Sequence, residues 1–303
     1  MRGRVHAAAA TALCCMLGWV LIPLMPFFSC MSGAVVGLAT LRHGVVEGAS
    51  VTVIAAGMLA AVSLPVHGSS APAWWVALLL WLPAQLCAAV LRNTRDQGWT
   101  LLTAGLLAAM FAGGLRIMTG DVQAWWRQLL DVMMQAASTR GGVPGITGHH
   151  LDTVAGMLNS LVAASMTATL MLTLLLARYW QALLYNPGGL SREFRALRLP
   201  RVAALVATLA VLAALVLKAQ VGLPAAASGF ALDVLAIGVT ALVFQGLSLM
   251  HHEVDVLGLS PALLVVPYAM LVMVPHYIAV VLAAVGLADV FFDFRSRKLS
   301  RRG

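Results

Sequence analysis

Residues 151–201 read LDTVAGMLNSLVAASMTATLMLTLLLARYWQALLYNPGGLSREFRALRLPR, and this stretch decides the fold of the chain. No proline interrupts the run from Leu151 to Tyr185, which as one helix is about 50 Å long at 1.5 Å per residue. That length exceeds the hydrocarbon core of a bilayer, which is about 30 Å thick. Proline cannot continue a helix and glycine tolerates positive φ, so the run is predicted to end at the Asn-Pro-Gly-Gly sequence of residues 186–189. The stretch predicts a membrane-spanning helix followed by an ordered turn.

Residues 177–201, called the elbow here, combine aromatic, basic and turn-forming residues. Ser191 can cap a short helix after the turn. Leu190 and Phe194 then share one face of that helix, and arginines lie along its flank. A basic segment at the cytoplasmic face is attracted to anionic lipids by about 1 kcal/mol per arginine or lysine. We therefore expect an ordered cytoplasmic segment pressed on the anionic inner leaflet, and not a catalytic loop.

The composition of the 303 residues is that of a membrane protein. Hydrophobic residues make up 61% of the chain and charged residues 10%, against roughly 25% charged in soluble domains. The mean hydropathy is +0.92, and a bilayer supplies the apolar solvent that so much apolar surface requires. The net charge of +8 comes mostly from arginines in short runs between apolar segments, which is typical of cytoplasmic loops and argues against a nucleic-acid partner. We predict an all-α, polytopic helical bundle that forms a single transmembrane domain over residues 1–303.

Apolar runs long enough to cross a bilayer recur along the chain. Seven of them are residues 7–25, 49–66, 73–91, 98–117, 151–179, 202–217 and 228–249. Two further runs are less regular: residues 28–41 are short, and residues 261–292 are long and interrupted at Pro267 and Pro275. If the first crosses and the second forms a hairpin, fifteen basic residues lie on one side of the membrane and four on the other. That bias places both termini in the cytoplasm and predicts eight to ten membrane segments.

The longest predicted outer segment covers residues 118–150. Six apolar residues recur there at helical spacing, namely Val122, Trp125, Trp126, Leu129, Leu130 and Met133. Asp121 lies where a carboxylate favours a helix start, and Gly141 and Gly142 end the pattern. The pattern predicts an amphipathic helix in the outer interface with its tryptophans at headgroup depth. Such a helix serves as a membrane anchor or, alternatively, as a lid or a partner-docking helix.

The elbow also carries a family resemblance. The segment ARYWQALLYNPGGLSREFRALRL resembles the signature of the YybS-like family of bacterial membrane proteins, a family without an assigned function. LRHGVVEG at 41–48 and GLADVFFDFR at 286–295 fit the same family. The resemblance implies an all-helical bundle in a bacterial inner membrane, more remotely similar to substrate-binding subunits of energy-coupling-factor transporters and to the rod-shape membrane protein of the cell-wall machinery. It marks ten elbow residues as candidate site residues: Arg178, Trp180, Gln181, Asn186, Pro187, Gly188, Gly189, Glu193, Phe194 and Arg198.

Three amide side chains lie near the middle of predicted spans: Gln85, Asn159 and Gln245. Amides at that depth form hydrogen bonds between helices, each contributing on the order of 0.6 kcal/mol. Alternatively, they line a site for a bound solute. The long apolar run also carries small residues along one side, which favour close helix packing or line a cavity: Gly156, Ser160, Ala163 and Thr167.

Four carboxylates lie in or next to the predicted spans, and ionisable groups at such positions are candidates for function. Glu47 sits at a helix start, where a negative charge is favourable, and Asp233 is expected to reach the outer interface. Asp289 and Asp293 are one helical turn apart near the C-terminal end, and Asp293 can pair with Arg297. We expect these two carboxylates to anchor the last helix.

The sequence holds no phosphate loop, nucleophile elbow, zinc-protease motif or dinucleotide fingerprint. His251 and His252 are followed by two carboxylates, but adjacent histidines project in different directions on a helix, so a metal site is not expected. The four cysteines lie in apolar runs and are expected to be packing residues. We therefore expect no enzymatic activity, no metal and no cofactor.

The function expected from these features is related to transport. Short, proline-broken segments and central polar residues are typical of transporter cavities. They suggest a membrane subunit that binds a small molecule inside the bundle, near Gln85, Asn159 and Gln245. The alternative is a non-enzymatic scaffold of the inner membrane that recruits a protein partner through the elbow and the outer amphipathic helix.

Overall fold

The computed structural model describes residues 3–138, 148–205 and 225–295, with five isolated positions between 206 and 219. These ranges are helical and contain no strand. The helices are α1 (Arg4–Val20), α2 (Met25–His43), α3 (Val45–His67), α4 (Ala71–Val76), α5 (Leu82–Thr94), α6 (Gln97–Thr119), α7 (Val122–Ser138), α8 (Gly148–Tyr185), α9 (Gly189–Arg195), α10 (Ala225–Val256), α11 (Val265–Met273) and α12 (Pro275–Phe292). A 3-10 turn, Ile22–Leu24, leads into α2, and a π-helical turn, Ala77–Trp81, joins α4 to α5.

Seven helical segments in the described part of the chain are long and apolar enough to span a membrane, by length and composition. They are Ile22–His43, Val45–Val66, Ala71–Thr94, Gln97–Thr119, Gly148–Tyr185, Gly229–Val256 and Pro275–Phe292. Two further apolar helices, Arg4–Val20 and Pro261–Met273, are shorter. The predicted all-α class is confirmed. The described residues hold seven such segments, and the predicted eight to ten require that the shorter helices cross as well or that the predicted span 202–217, which lies partly outside the described residues, is one of them.

The two irregular apolar runs take different forms in the structure. Residues 28–41 belong to the regular helix α2, because Pro26 lies in its first turn, where a missing N–H breaks no helical hydrogen bond. Residues 261–292 divide at Pro275 into α11 and α12, of which α12 alone is long enough to span a membrane, and the hairpin stays a prediction. Three predictions lie wholly or partly outside the described residues: the span 202–217, the end of the outer helix at Gly141 and Gly142, and the pairing of Asp293 with Arg297.

The backbones of α10 and α12 approach each other closely at two glycines. A Cβ atom at Gly286 would lie 2.2 Å from the carbonyl oxygen of Leu242. One at Gly246 would lie 2.2 Å from the carbonyl oxygen of Leu282. The two backbones therefore meet where both helices carry glycine, as small residues allow in membrane bundles.

One end of the bundle carries the elbow and is called the elbow end here. Arg42, at the end of α2, lies over the ring of Tyr185 at the end of α8, 4.8 Å from the ring centroid. Arg4, at the start of α1, binds Glu47 at the start of α3, with an N–O distance of 2.6 Å. The starts of α1 and α3 and the ends of α2 and α8 therefore lie together at this end.

Arginine is distributed unequally between the two ends of the bundle. Ten of the twelve described arginines lie at the elbow end: Arg4, Arg42, Arg92, Arg95, Arg178, Arg192, Arg195, Arg198, Arg201 and Arg295. The other two, Arg116 and Arg127, lie at the opposite end, where α6 is followed by α7. Within the described residues, the fold thus places ten arginines at one end and two at the other.

The predicted amphipathic helix is present as α7 and packs on α8. Asp121 accepts a hydrogen bond from the backbone of the first turn, as expected of a helix start. α8 has 38 residues and is about 57 Å long, so it exceeds the hydrocarbon core of a bilayer. Gln123 donates to the carbonyl oxygen of Asp152, and Arg127 Nε lies 2.9 Å from the Asp152 carboxylate. The polar side of α7 therefore binds the first turns of α8.

Candidate functional site

A buried carboxylate, that of Asp233, lies between three helices at the end opposite the elbow. The residue is fully buried in α10. Arg116 Nε, Asn159 Nδ2 and Ser160 Oγ each donate to it at 2.7 Å. Arg116 belongs to the last turn of α6, whereas Asn159 and Ser160 are consecutive residues of α8. These four residues, called the Asp233 centre here, connect α6, α8 and α10.

The geometry explains how a charge is tolerated at this depth. A carboxylate in an apolar interior is strongly destabilised unless it is paired and hydrogen-bonded. Both carboxylate oxygens have donors, Oδ2 from Arg116 and Asn159 and Oδ1 from Ser160. Trp126 of α7 adds a fourth helix, because its indole Nε1 donates to Asn159 Oδ1 at 3.4 Å. The centre therefore fixes the α7–α8 pair on the bundle.

The sequence predicts the roles of some residues of the Asp233 centre but not of others. Asp233, expected at the outer interface, is instead enclosed by protein, because Arg116 reaches it from α6. Asn159 bridges helices, as expected of a central amide. Ser160, grouped by its spacing with small packing residues, donates to the carboxylate. Nothing in the sequence distinguishes Arg116 from other basic residues at the ends of spans, except that it and Asp233 fall near the same predicted boundary.

A second polar group lies at the elbow end, between the ends of α10 and α12. It contains Gln245, Ser248, Asp289 and Arg295 and is called the Asp289 centre here. Gln245 Nε2 donates to Asp289 Oδ2 at 3.2 Å, and Arg295 Nη2 lies 3.3 Å from the same oxygen. Burial lowers the pKa of the Arg295 guanidinium, and the charge of Asp289 opposes that shift. Like the Asp233 centre, this group contains a buried aspartate and a buried arginine.

The Asp289 centre binds the backbone of the elbow. Four hydrogen bonds make this connection: the N–H of Leu199 to Gln245 Oε1 (3.0 Å), Ser248 Oγ to the carbonyls of Phe194 (2.6 Å) and Leu197 (3.2 Å), and Arg295 Nη1 to the carbonyl of Arg195 (2.6 Å). Asp293 adds ion pairs with Arg198 at 2.8 Å and Arg201 at 2.7 Å. Because its buried backbone groups find partners in the bundle, the elbow is an ordered segment.

The candidate residues of the elbow also contact one another and the bundle. Arg178 forms a bidentate pair with Glu193, and its Nη1 donates to Gln181. Trp180 is half-buried and packs against the apolar core formed by α2, α3 and α5. The ring of Phe194 meets a histidine ring of α10 edge-on, with centroids 5.1 Å apart. Most of this motif therefore stabilises the position of the elbow.

The turn between α8 and α9 follows from its four residues. Pro187 and Gly188 form the turn, and Gly188 has a φ of +77°, in the region that favours glycine. A Cβ atom at Gly189 would lie 2.4 Å from Asn186 Nδ2, so a larger residue would displace that side chain. The predicted stop of the long helix at residues 186–189 is confirmed.

The three central amides belong to separate parts of the structure. Gln85 Nε2 donates to the carbonyl oxygen of Val45 at 2.8 Å, which fixes the start of α3. Asn159 belongs to the Asp233 centre and Gln245 to the Asp289 centre, at opposite ends of the bundle. The three side chains therefore do not enclose a common solute site.

Metal-ligating side chains do not converge within the described residues. No group of three or more histidine, cysteine, aspartate or glutamate side chains is placed there to hold a metal ion. His251 Nδ1 lies 2.9 Å from the carbonyl oxygen of Leu247, and its ring contacts that of Tyr268. The cysteines are free and buried or half-buried.

A cleft of about 1060 Å³ lies between α4, α6 and α7. Its apolar floor includes Trp75, Leu78, Met110, Phe111 and Leu115. Its polar rim includes Asp121, Arg127, Gln128 and Asp131, of which Arg127 and Asp131 form an ion pair one turn apart. Sites for small molecules commonly measure about 300–1,000 Å³, so the cleft is large enough for a ligand with an apolar body and a polar end.

Comparisons with known proteins found no similar protein. No family model, curated protein or solved structure matches the chain. The cleft and the two buried centres are therefore the features on which a functional proposal can be based.

Proposed function

We propose that this chain is a multi-pass membrane protein that binds an amphiphilic small molecule in the cleft between α4, α6 and α7, as the binding subunit of a transport system. One observation carries the proposal: the cleft joins an apolar floor on two spans to a polar rim on α7. The proposed activity is binding and not an enzymatic reaction. This site differs from the one that the sequence suggested near Gln85, Asn159 and Gln245, because these three amides lie in separate parts of the structure.

The walls of the cleft define the class of ligand. Trp75 and Phe111 provide aromatic surface for an apolar body, whose burial contributes about 25 cal/mol per Å². On the rim, Asp121 and Asp131 outnumber Arg127, and this excess of negative charge disfavours an anionic end group. The ligand class that fits best is an amphiphile with a neutral polar or cationic end.

We also propose that the elbow end faces the cytoplasm of a bacterial cell and that the protein resides in the inner membrane. The excess of arginine at that end supports this orientation, because cytoplasmic segments are enriched in basic residues. Arg4 and Arg295 both contact residues of the elbow end, which supports a cytoplasmic location for both ends of the described chain. The exposed elbow arginines then lie near anionic lipids of the inner leaflet.

The cleft can be filled by one substitution. Gly114 lines it from α6, and a Cβ atom there would meet nothing within 4 Å, so Gly114→Leu fits and occupies the cleft. Gly57→Leu in α3 is the matched control, because its surroundings are equally open and it lies away from the cleft. Leucine favours a helix over glycine by roughly 1 kcal/mol, so neither variant is expected to lower stability.

Native mass spectrometry of the protein, purified from its own membranes, measures the bound molecule directly. We expect an amphiphile on the wild type and on Gly57→Leu, and its loss from Gly114→Leu. A wild type without any bound amphiphile, or one retained equally by Gly114→Leu, rejects the cleft as the site. Uptake of the identified amphiphile by membrane vesicles that contain the protein then tests the transport role.

The scaffold hypothesis receives less support from the contacts of the elbow. Trp180 packs against the apolar core, and Phe194 packs against α10. The elbow therefore uses its two central aromatic side chains to bind its own bundle, and these two are not free to hold a protein partner.

A further inference from the structure

We propose that the elbow end carries a binding site for a phosphate group, independent of the cleft at the other end. A cavity of about 440 Å³ opens there between the ends of α2, α5 and α8 and the short helix α9. Four arginines line it: Arg42, Arg92, Arg95 and Arg178. Glu193 is the carboxylate of its described lining, so the lining has a formal charge of three positive.

The carboxylate in the lining is already used by one of the arginines. Arg178 binds Glu193 through two nitrogens, and Gln181 accepts a hydrogen bond from the same guanidinium. This charge-compensated pair forms one wall of the cavity. Across the described residues, no ion pair involves Arg42, Arg92 or Arg95. Three guanidinium groups thus face one cavity without a counter-charge.

Two of these three arginines are held in place by neighbouring groups. Arg92 Nη1 donates to the carbonyl oxygens of Leu41 at 2.7 Å and Thr40 at 3.3 Å. This contact caps the last carbonyl groups of α2, which gives Arg92 a structural role in the bundle. Arg42 is positioned by its stacking on Tyr185. A guanidinium has five N–H donors, and these contacts leave donors on both side chains for a ligand.

Arg95 has no such structural role for its side chain. Its φ of +55° lies in the left-handed region, where glycine or asparagine usually ends a helix. Its backbone N–H closes α5 on the carbonyl of Leu91, a task that any residue performs. The side chain is exposed and lines the cavity. A charged side chain at this strained position indicates a role outside the packing of the bundle.

A phosphate group matches this lining better than other small anions. Guanidinium groups present paired N–H donors that fit phosphate oxygens, and several uncompensated cations favour an anion with more than one acceptor oxygen. Basic pockets between spans on the cytoplasmic side are suited to the headgroups of acidic lipids. A soluble phosphate compound would use the same contacts, so the shared chemistry is the phosphate and its source is left to the experiment.

The test compares the loss of charge inside the cavity with an equal loss outside it. Arg42→Gln with Arg95→Gln removes two lining charges that have no ion-pair partner. Arg192→Gln with Arg201→Gln removes two exposed charges at the same end but outside the lining, and it is the control for net charge. The loss of Arg201 breaks one ion pair of Asp293, which keeps its second pair with Arg198. Arg95→Gln alone is a milder variant, because this side chain is exposed and forms no hydrogen bond or ion pair within the described residues.

Binding is measured on the purified full-length chain in a neutral detergent at constant ionic strength. The readout is the rise in unfolding temperature with two probes, inorganic phosphate and short-chain phosphatidylglycerol. We expect the wild type and the control pair to bind alike. The cavity pair is expected to bind the probes at least about tenfold more weakly, because a charge-assisted hydrogen bond contributes roughly a factor of ten in affinity. Arg95→Gln alone is expected to have an affinity between those of the wild type and the cavity pair.

The two probes identify the source of the phosphate group. Protection by both supports a site for a soluble phosphate compound, and protection by phosphatidylglycerol alone supports a site for a lipid headgroup. The proposal is overturned if neither probe protects the wild type. It is also overturned if the control pair weakens binding as much as the cavity pair, because the effect would then follow net charge and not the cavity.

Discussion

Asp233 and Asp289 are both buried beside an arginine, yet the two carboxylates are satisfied to different degrees. At Asp233, three donors lie at 2.7 Å and both oxygens have partners. At Asp289, Gln245 at 3.2 Å and Arg295 at 3.3 Å both bind Oδ2. Among the described residues, Asp289 Oδ1 has no hydrogen-bond partner.

The difference indicates what each centre does for the fold. The Asp233 centre joins three helices through side-chain bonds to its carboxylate, with one longer bond from Asn159 Nδ2 to the carbonyl oxygen of Ala112 at 3.5 Å. Its contribution therefore depends on keeping a buried charge paired. At the elbow end, Arg295 divides its donors between Asp289, Ser248 and the carbonyl oxygen of Arg195. There the arginine attaches the elbow to the bundle, and the carboxylate offsets the charge of the arginine.

The largest expected effect follows from Asp233→Asn. The variant leaves the Arg116 guanidinium without its counter-charge, and breaking a buried pair in this way costs about 3–5 kcal/mol. Because the Arg116 side chain is 14% exposed, we expect a loss near the lower limit, about 3 kcal/mol. The free energy of unfolding in mixed micelles of neutral detergent and dodecyl sulfate measures this loss.

A double variant separates the effect of charge from that of the hydrogen bonds. Arg116→Met combined with Asp233→Asn removes both charges and is expected to recover a large part of the loss. If the double variant is no more stable than Asp233→Asn alone, the loss comes from the bonds to Asn159 and Ser160. The proposed dependence on charge pairing would then be wrong.

The next effect comes from the backbone contact that places α12 beside α10. In Gly286→Ala the new Cβ would lie 2.2 Å from the Leu242 carbonyl oxygen, so the helices must separate, and overpacking of this kind costs about 1–3 kcal/mol. Gly238→Ala, where a Cβ meets nothing within 4 Å, is the control and is expected to stabilise by about 0.5–1 kcal/mol.

Separation of α10 and α12 in Gly286→Ala should also release the elbow, and the rate of trypsin digestion after Arg195 measures that release. Equal digestion of the two variants would contradict the link between this contact and the Asp289 centre.

The long apolar helices could be predicted from the sequence because a long apolar run has few alternatives to a helix in a bilayer. The predicted span 98–117, for example, agrees with α6 within two residues at each end. The effect of proline within a run was harder to predict. Pro83 interrupts the predicted span 73–91, and the chain accommodates it with the π-helical turn at Ala77–Trp81. Such a turn depends on which carbonyl groups the neighbouring helices leave free, and the sequence does not encode that directly.

The polar centres could be predicted only as separate residues. The cost of burying a polar group identifies Asn159 and Asp289 as positions that need partners. It does not identify the partners, because Arg116 and Asp233 are 117 residues apart and meet only through the packing of α6 against α10. The same limit applies to the basic cavity, whose four arginines come from three separate segments of the chain, the ends of α2, α5 and α8.

Asp289→Asn provides the direct counterpart to Asp233→Asn. Arg295 is only 3% exposed, but we expect a smaller loss of stability, about 1–2 kcal/mol, because Arg295 keeps its bonds to Ser248 and to the elbow backbone and still lies near the carboxylates of Asp293 and Glu253. Trypsin digestion after Arg195 should nevertheless increase several-fold in Asp289→Asn and not in Asp233→Asn. Equal losses of stability in the two variants would remove the distinction between a charge-dependent centre and one that holds the elbow.

The smallest expected effect comes from Glu193→Gln within the elbow. The pair of Arg178 and Glu193 is about one-quarter exposed, so water screens it, and its loss should cost about 1 kcal/mol or less. That loss should shrink further in high salt, which screens exposed charges far more than buried ones. Unfolding measured at low and high salt tests this, with Asp233→Asn as the variant whose loss should stay nearly constant. If the loss of stability in Glu193→Gln does not change with salt, the pair of Arg178 and Glu193 behaves like the two buried centres. The elbow would then be part of the core of the bundle.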